Sequence, residues 1–311
     1  MNRNKRRKNK KTIKKKRVNR SYKNNLFCMI FGVRKSALVL YNAINHSHYE
    51  NPEDLEITTI KGALYMGVKN DLSFLIDSVM NLYEAQSTKN PNMPLRGLVY
   101  FAKLYQGYVE QRGLDIYSGR QIKIPVPRYI VFYNGTVNEP DCREYRLSDA
   151  FEKQEDSYCL ECVASVLNIN VGHNQKLMES CSLLWQYASF VSKVRIYLEK
   201  YPNNLETAVD MAVEECIADG CLADFLRKRR GEVKDVILTE YSAERHIKNE
   251  KKLSYEEGIE QGIEAFILDK AEDGTDEKVI LEKLQKRFAL DKKKAEYYCN
   301  KFLPKNVENN I

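Results

Sequence analysis

The spacing of apolar residues changes character twice along the chain. In the stretch 27–45, Leu38, Tyr41 and Ile44 recur at a spacing that suits a helix packed on something larger, and Pro52 interrupts the pattern. From Leu55 the texture becomes β-like, in short runs at 56–60, 63–66, 72–76 and 79–84. Asn90-Pro-Asn-Met-Pro94 marks a loop, and 95–111 reads as a helix with Leu98, Ala102, Tyr105 and Val109 on one stripe. Pro125 and Pro127 precede a run at 128–133 apolar enough for a central strand, closed by the turn Asn134-Gly135; a further strand is predicted at 161–168.

Beyond Gly172 the period is helical. Asn174 is placed to cap a helix bearing Leu177, Cys181, Leu184, Ala188 and Val191, which runs to Pro202. Leu205, Ala208, Ala212 and Cys216 continue the pattern, with Gly220 as its stop. Ser254-Tyr-Glu-Glu257 has the form of a capping box opening a helix at 256–270, and two more helices are predicted near 276–288 and 292–302. The expected architecture is therefore α/β, with a core of mixed strands and helices at about 25–170 and a helical region at 171–311.

Composition sets the class. Hydrophobic residues make up 43% and charged residues 30% of 311, and the mean hydropathy is -0.54, all ordinary for a chain that buries a core in water. No segment reaches the roughly 18 uninterrupted apolar residues that span a bilayer, and no apolar run comes after the N-terminal positive stretch as a secretory signal requires. A cytoplasmic protein without a membrane partner is the expectation. The net charge of +7 is unevenly distributed: residues 1–24 hold thirteen Lys and Arg and no acid, so the remainder is net −6. Such a tail repels itself into disorder and attracts phosphate polymers such as DNA or anionic surfaces; the alternative is an idle, solvated extension. Eight cysteines in such a chain read as free thiols. Cys159 and Cys162 have the spacing of half a zinc site, but the apolar stretch around them reads as a place for small buried residues.

One stretch carries chemistry. The runs at 71–76 and 79–84 are separated by Asp77-Ser78, a pair compatible with a two-residue hairpin. In that register Ile76 faces Val79, Leu75 faces Met80, and Asp71 faces Glu84, with Cβ atoms of a facing pair about 5 Å apart. Gln86, two residues beyond Glu84, shares its face. Facing acids destabilise a sheet, so the pair asks for a cation: Mg²⁺ takes carboxylate oxygens, polarises a phosphate and activates a bound water. Gln86 is suited to orient such a water or to donate to the phosphate. The alternative is that both acids simply face solvent. Asp77 falls at the turn, roughly 15–20 Å from Glu84 at about 3.4 Å per residue, and reads as a turn residue. Arg96 and Lys103, seven residues apart, share a helix face that reads as solvated, the alternative being an approach to backbone phosphate; His173 suits a turn or cap, and Trp185 suits helix packing.

This hairpin resembles the active-site hairpin of the PD-(D/E)XK nuclease superfamily, in the variant of the Rpn recombination-promoting nucleases and transposase-like proteins, where Gln replaces the final Lys. The likeness extends over about residues 26–300 through Leu40-Tyr-Asn-Ala-Ile-Asn45, Tyr83-Glu-Ala-Gln-Ser-Thr88, Asn90-Pro-Asn-Met-Pro-Leu-Arg-Gly97, Pro127-Arg-Tyr-Ile-Val-Phe-Tyr-Asn-Gly135 and Leu167-Asn-Ile-Asn-Val-Gly-His-Asn174. The resemblance implies a PD-(D/E)XK-type mixed sheet flanked by helices. It further implies Mg²⁺ or Mn²⁺ as cofactor, Asp71 and Glu84 as metal ligands joined by the carbonyl of Ala85, Gln86 in place of the lysine, and DNA phosphodiester hydrolysis as the activity. One feature departs from the pattern: many members place a Glu on the first core helix, and 34–45 contains no acid. That departure favours the rival expectation, a nucleic-acid-binding or interaction protein that keeps the fold without turnover.

Overall fold

The computed structural model describes residues 26–58, 71–202 and 204–303; the basic tail and the run at 63–66 lie outside them. In chain order the first elements are α1 (Leu26–Phe31), α2 (Arg34–Asn45), β1 (Glu56–Ile57), β2 (Asp71–Ile76), β3 (Val79–Gln86), α3 (Met93–Gln111), β4 (Val126–Tyr133), β5 (Cys142–Arg146) and β6 (Val163–Asn168). The strands form one mixed sheet in the order β1-β2-β3-β4-β6-β5. β1, β2 and β3 run antiparallel to one another in turn, β4 lies parallel to both β3 and β6, and β5 closes the edge antiparallel to β6. The mixed α/β class is thus as the sequence predicts.

Two local features explain why the sheet takes this register. Asp77 and Ser78 have φ of 47° and 60°, the left-handed pair of a type I′ turn, whose twist matches that of the strands it joins. Pro127 pairs with Met80 within β4, although proline cannot donate to a ladder. It is tolerated because pairing to β6 begins only at Ile130, which leaves the start of β4 with one neighbour.

Side chains alternate across the sheet. On one face Met80 and Leu82 of β3, Tyr129 and Val131 of β4 and Ala164 of β6 pack under Met93, Phe101 and Leu104 of α3. On the other face the rings form a continuous series: Tyr41 of α2 meets Phe74 at 6.0 Å, Phe74 meets Tyr83 at 5.0 Å, Tyr83 meets Phe132 at 5.5 Å, and Phe132 meets Phe27 of α1 at 5.1 Å.

The helical part of the chain comprises α4 (Gln175–Ser180), α5 (Ser182–Lys200), α6 (Leu205–Ala218), α7 (Ala223–Glu272), α8 (Glu277–Phe288) and α9 (Lys292–Phe302). Two compact units divide between Thr239 and Glu240, so α4, α5 and α6 belong with the sheet. The second unit has its own core of Ile263, Ile267, Ile280, Leu284, Ala295 and Cys299. No helix among the described residues is long and apolar enough to cross a membrane.

Several sequence expectations need correction. The predicted helix at 27–45 is two helices, broken at Gly32, where a Cβ would lie 2.4 Å from the carbonyl oxygen of Cys28. Asn174 precedes α4 but caps it with no side-chain bond; its φ is 45° and its amide donates to the carbonyls of Asp141 and Asn168. Helix α7 continues through Ser254, so the capping-box pattern there opens nothing. β5 escaped the pattern altogether, because Cys-Arg-Glu-Tyr-Arg reads as polar; as an edge strand it needs no apolar face of its own.

Candidate functional site

The site is built on the β2–β3 hairpin. Asp71 is the Cα partner of Glu84, as the two-residue turn requires, and the pairing continues through Leu72 and Tyr83 to Ile76 and Val79. Glu84 follows Met80 and Leu82 on the face beneath α3 and is only 3% exposed. A carboxylate there must find partners or lose its charge. Arg96, from the first turns of α3, places Nη2 2.5 Å from Oε1, and the Tyr129 hydroxyl of β4 donates to Oε2 at 2.7 Å. Burial nevertheless outweighs both, and holds the Glu84 carboxyl above the usual glutamate range. Gly97 makes this geometry accessible: a Cβ there would sit 2.6 Å from the Tyr129 ring.

Gln86 is half-buried at the end of β3 and donates from Nε2 to Thr88 Oγ1 at 2.7 Å. It borders a cleft with Thr88, Lys89, Glu139 and Tyr145. Glu139, 8% exposed, is held by Lys89 and Arg143, each at 3.1 Å. The turn after β4 closes on the same strand end: Asn134 donates its N–H to the Gln86 carbonyl at 3.0 Å. Gly135 passes so close to Ser87 that a Cβ would be 2.2 Å from its carbonyl oxygen. Ala85, between Glu84 and Gln86, is buried and pairs with Phe132.

Of the other singled-out residues, Arg96 departs most from expectation: it does not sit on a solvated face but neutralises a buried acid, while Lys103 on the same helix is half-buried. Sequence reasoning missed Tyr129 as its companion; the one available signal was a glycine inside a helical pattern, which usually has a packing reason. Asp77 stands in the turn, where Tyr49 donates to Oδ2 at 2.9 Å. His173 lies 2.6 Å through Nδ1 from Asp141, whose carboxyl that contact and the Asn174 N–H hold below the usual aspartate range. Trp185 is 49% exposed rather than packed. Cys159 is exposed and Cys162 half-buried, which corrects the expectation of two buried thiols. Among the described residues no group of three or more His, Cys, Asp or Glu is placed to hold a metal.

Comparison with protein-family models, with curated proteins and with solved structures gives no match. The fit of a divalent cation therefore rests on the chain's own donors. Glu84 is a hard oxygen donor whose burial is incompletely compensated by Arg96 and Tyr129, which suits an additional positive charge. Each of its two oxygens accepts one hydrogen bond in this conformation, so a cation at Oε1 would compete with the Arg96 guanidinium for it.

Proposed function

We propose that the chain is a metal-dependent DNA endonuclease of the PD-(D/E)XK type, similar to the Rpn recombination-promoting nucleases, with Asp71 and Glu84 as ligands and Gln86 at the reacting phosphate. The observation that carries this reading is the register that sets Asp71 opposite Glu84 across a two-residue turn, with Gln86 two residues further along the same strand. The mixed sheet flanked by helices is compatible with it. The bound Mg²⁺ or Mn²⁺ would supply Lewis acidity and a water of lowered pKa. Asp71, Glu84 and the carbonyl of Ala85 would hold it. Gln86 would orient the attacking water or donate to a phosphate oxygen, since an amide is no base. Arg96, released from Glu84, has the guanidinium fork that pairs with phosphate, and Lys89 offers a second cation at the cleft beside Gln86. These contacts are indifferent to base sequence.

A plasmid-nicking assay with Mg²⁺, Mn²⁺ or EDTA tests the reading. Cleavage should depend on the metal, disappear in Asp71→Ala and Glu84→Ala, and persist in Asp77→Ala. Loss of cleavage in Asp77→Ala with retention in Asp71→Ala would overturn the assignment. A second reading, a nucleic-acid-binding protein without turnover, is favoured by the closure of Glu84 beneath Arg96 and Tyr129. It predicts DNA binding with no metal-dependent nicking in any variant.

A further inference from the structure

Helix α6 ends in a motif that brings two thiols together. Gly220 has φ of 75°, the left-handed conformation that terminates helices. The N–H of Cys221 reaches back to the carbonyl of Cys216 at 2.8 Å, and that of Asp219 to Glu215 at 2.9 Å. The bond across six residues is that of a Schellman motif, in which the third residue from the helix end and the second beyond its cap commonly touch through apolar side chains. Here both are cysteines. Cys216 is 0% and Cys221 5% exposed. The Cys221 thiol also donates to the backbone carbonyl of Gln186 on α5 at 3.3 Å, and the Gln186 side chain accepts from the Leu222 N–H at 2.8 Å, which fixes the segment after the turn.

A cation stands beside the pair. Lys193 of α5 bonds Glu215 at 2.9 Å and also Asp219, the neighbours of Cys216 and Gly220. The Cys216 thiol donates toward Cys221, which pushes the Cys221 thiol below the usual range and Cys216 above it. The Schellman turn therefore sets two thiols side by side, Cys221 the more readily ionised of the two, the pairing that disulfide closure needs.

We propose that Cys216 and Cys221 are an oxidisable dithiol that reacts with hydrogen peroxide and closes to a disulfide. Cys221 is the entry point, because its residue is the more exposed of the two, 5% against 0%. Its thiolate attacks one peroxide oxygen; the O–O bond breaks, and the departing hydroxide takes up the proton the thiol released, leaving as water. Cys221 is then a sulfenic acid, oxidised by two electrons. The Cys216 sulfur attacks the Cys221 sulfur, the S–S bond forms as the S–O bond breaks, and hydroxide leaves with the Cys216 proton as a second water. Two thiols and one peroxide yield one disulfide and two waters. This inference does not depend on the nuclease reading.

The test uses the full chain, treated with hydrogen peroxide, alkylated, cleaved at Asp219 and mapped by mass spectrometry. The expected result is a linked pair of peptides containing Cys216 and Cys221, with both alkylation signals lost together and restored by dithiothreitol. Exposed Cys142 and Cys159 serve as reactivity references in the same sample. In Cys216→Ser, dimedone should trap the sulfenic acid on Cys221; in Cys221→Ser, Cys216 should stay alkylatable at the same dose. Alkylatable Cys216 and Cys221 under a dose that oxidises the two references would overturn the proposal, as would sulfinic acid on Cys221 beside a free Cys216. Mapping the unsubstituted protein decides the matter even if either serine variant fails to fold.

Discussion

The two faces of the sheet are made by the same strands and differ by a single residue of phase. Toward α1 and α2, β2, β3 and β4 present Phe74, Tyr83 and Phe132 in a series of rings with centroids 5.0 to 5.5 Å apart. Toward α3, β3 and β4 present Met80, Leu82 and Tyr129, and then, where the aliphatic row would continue, Glu84. One face is optimised for burial. The other gives up apolar area to hold a carboxylate under a guanidinium, an arrangement that on stability grounds is often no better than a hydrophobic isostere. The first face holds the fold through apolar contact, whereas the second buries a carboxylate between Arg96 and Tyr129.

The largest expected effect tests the aromatic face. Phe132→Ala removes the ring that joins Tyr83 to Phe27 and should cost about 3–5 kcal/mol in denaturant unfolding, with CD at low denaturant still native. A loss below about 1 kcal/mol would mean the ring series is not what holds the sheet to α1.

On the charged face, Arg96→Ala leaves Glu84 buried with Tyr129 alone. Because Arg96 is itself about a quarter exposed, the cost should fall somewhat short of the fully buried case, about 2–3 kcal/mol at neutral pH. It should shrink in acid, where Glu84 takes up a proton and needs no cation. A pH-independent loss would assign the effect to packing of the Arg96 stem. If Arg96 excludes a metal ion, calorimetry should also find Mn²⁺ bound more tightly to Arg96→Ala than to the parent.

Glu84→Gln isolates the charge with little change of shape. Glu84 has a raised folded-state pKa, so between the ordinary carboxylate range and that raised value the folded chain binds more protons than the unfolded one, and stability falls as pH rises. The glutamine variant should lack this decline and unfold with a flatter pH profile, the two profiles diverging most on the alkaline side of the window. Parallel profiles in urea titrations would show that Glu84 ionises in the fold as freely as in the unfolded chain.

The two faces also differ in how far a sequence discloses them. The β2–β3 register could be read because a two-residue turn leaves one pairing and alternation does the rest, so the partnership of Asp71 with Glu84 needed no tertiary information. The partners of Glu84 could not be read that way. Arg96 is twelve residues away and Tyr129 forty-five, and both reach Glu84 only because α3 crosses over β3 and β4 lies beside it. Local periodicity assigns a lone arginine on an amphipathic helix to solvent, and so it hid the ion pair. β5 and the break at Cys181 were illegible for a related reason: a polar edge strand and a one-residue helix interruption are tertiary decisions that no period records.

The smallest effect concerns the turn that decides which residue goes to which face. Asp77 and Ser78 both adopt left-handed φ, a conformation that asparagine and glycine accept and that costs other residues roughly 1 kcal/mol or more. Asp77 is compensated by the Tyr49 hydroxyl on Oδ2; no side-chain bond to Ser78 is among those found in the described residues. Ser78→Gly should therefore stabilise the protein by about 0.5–1 kcal/mol, the relief of strain being partly offset by the greater freedom of glycine in the unfolded chain. Asp77→Asn should be nearly neutral, because an amide oxygen can still accept from Tyr49. Inserting a glycine between Asp77 and Ser78 puts the opposite demand on the same turn. Keeping Asp71 opposite Glu84 would then need a three-residue loop, and a one-residue slip would carry Glu84 onto the aromatic face and Tyr83 beneath α3. Denaturant midpoints that rank Ser78→Gly above the parent and the insertion far below it would show that turn geometry, through register, keeps the two faces distinct. Equal midpoints for insertion and parent would instead show that side-chain burial sets the register and the turn merely adapts.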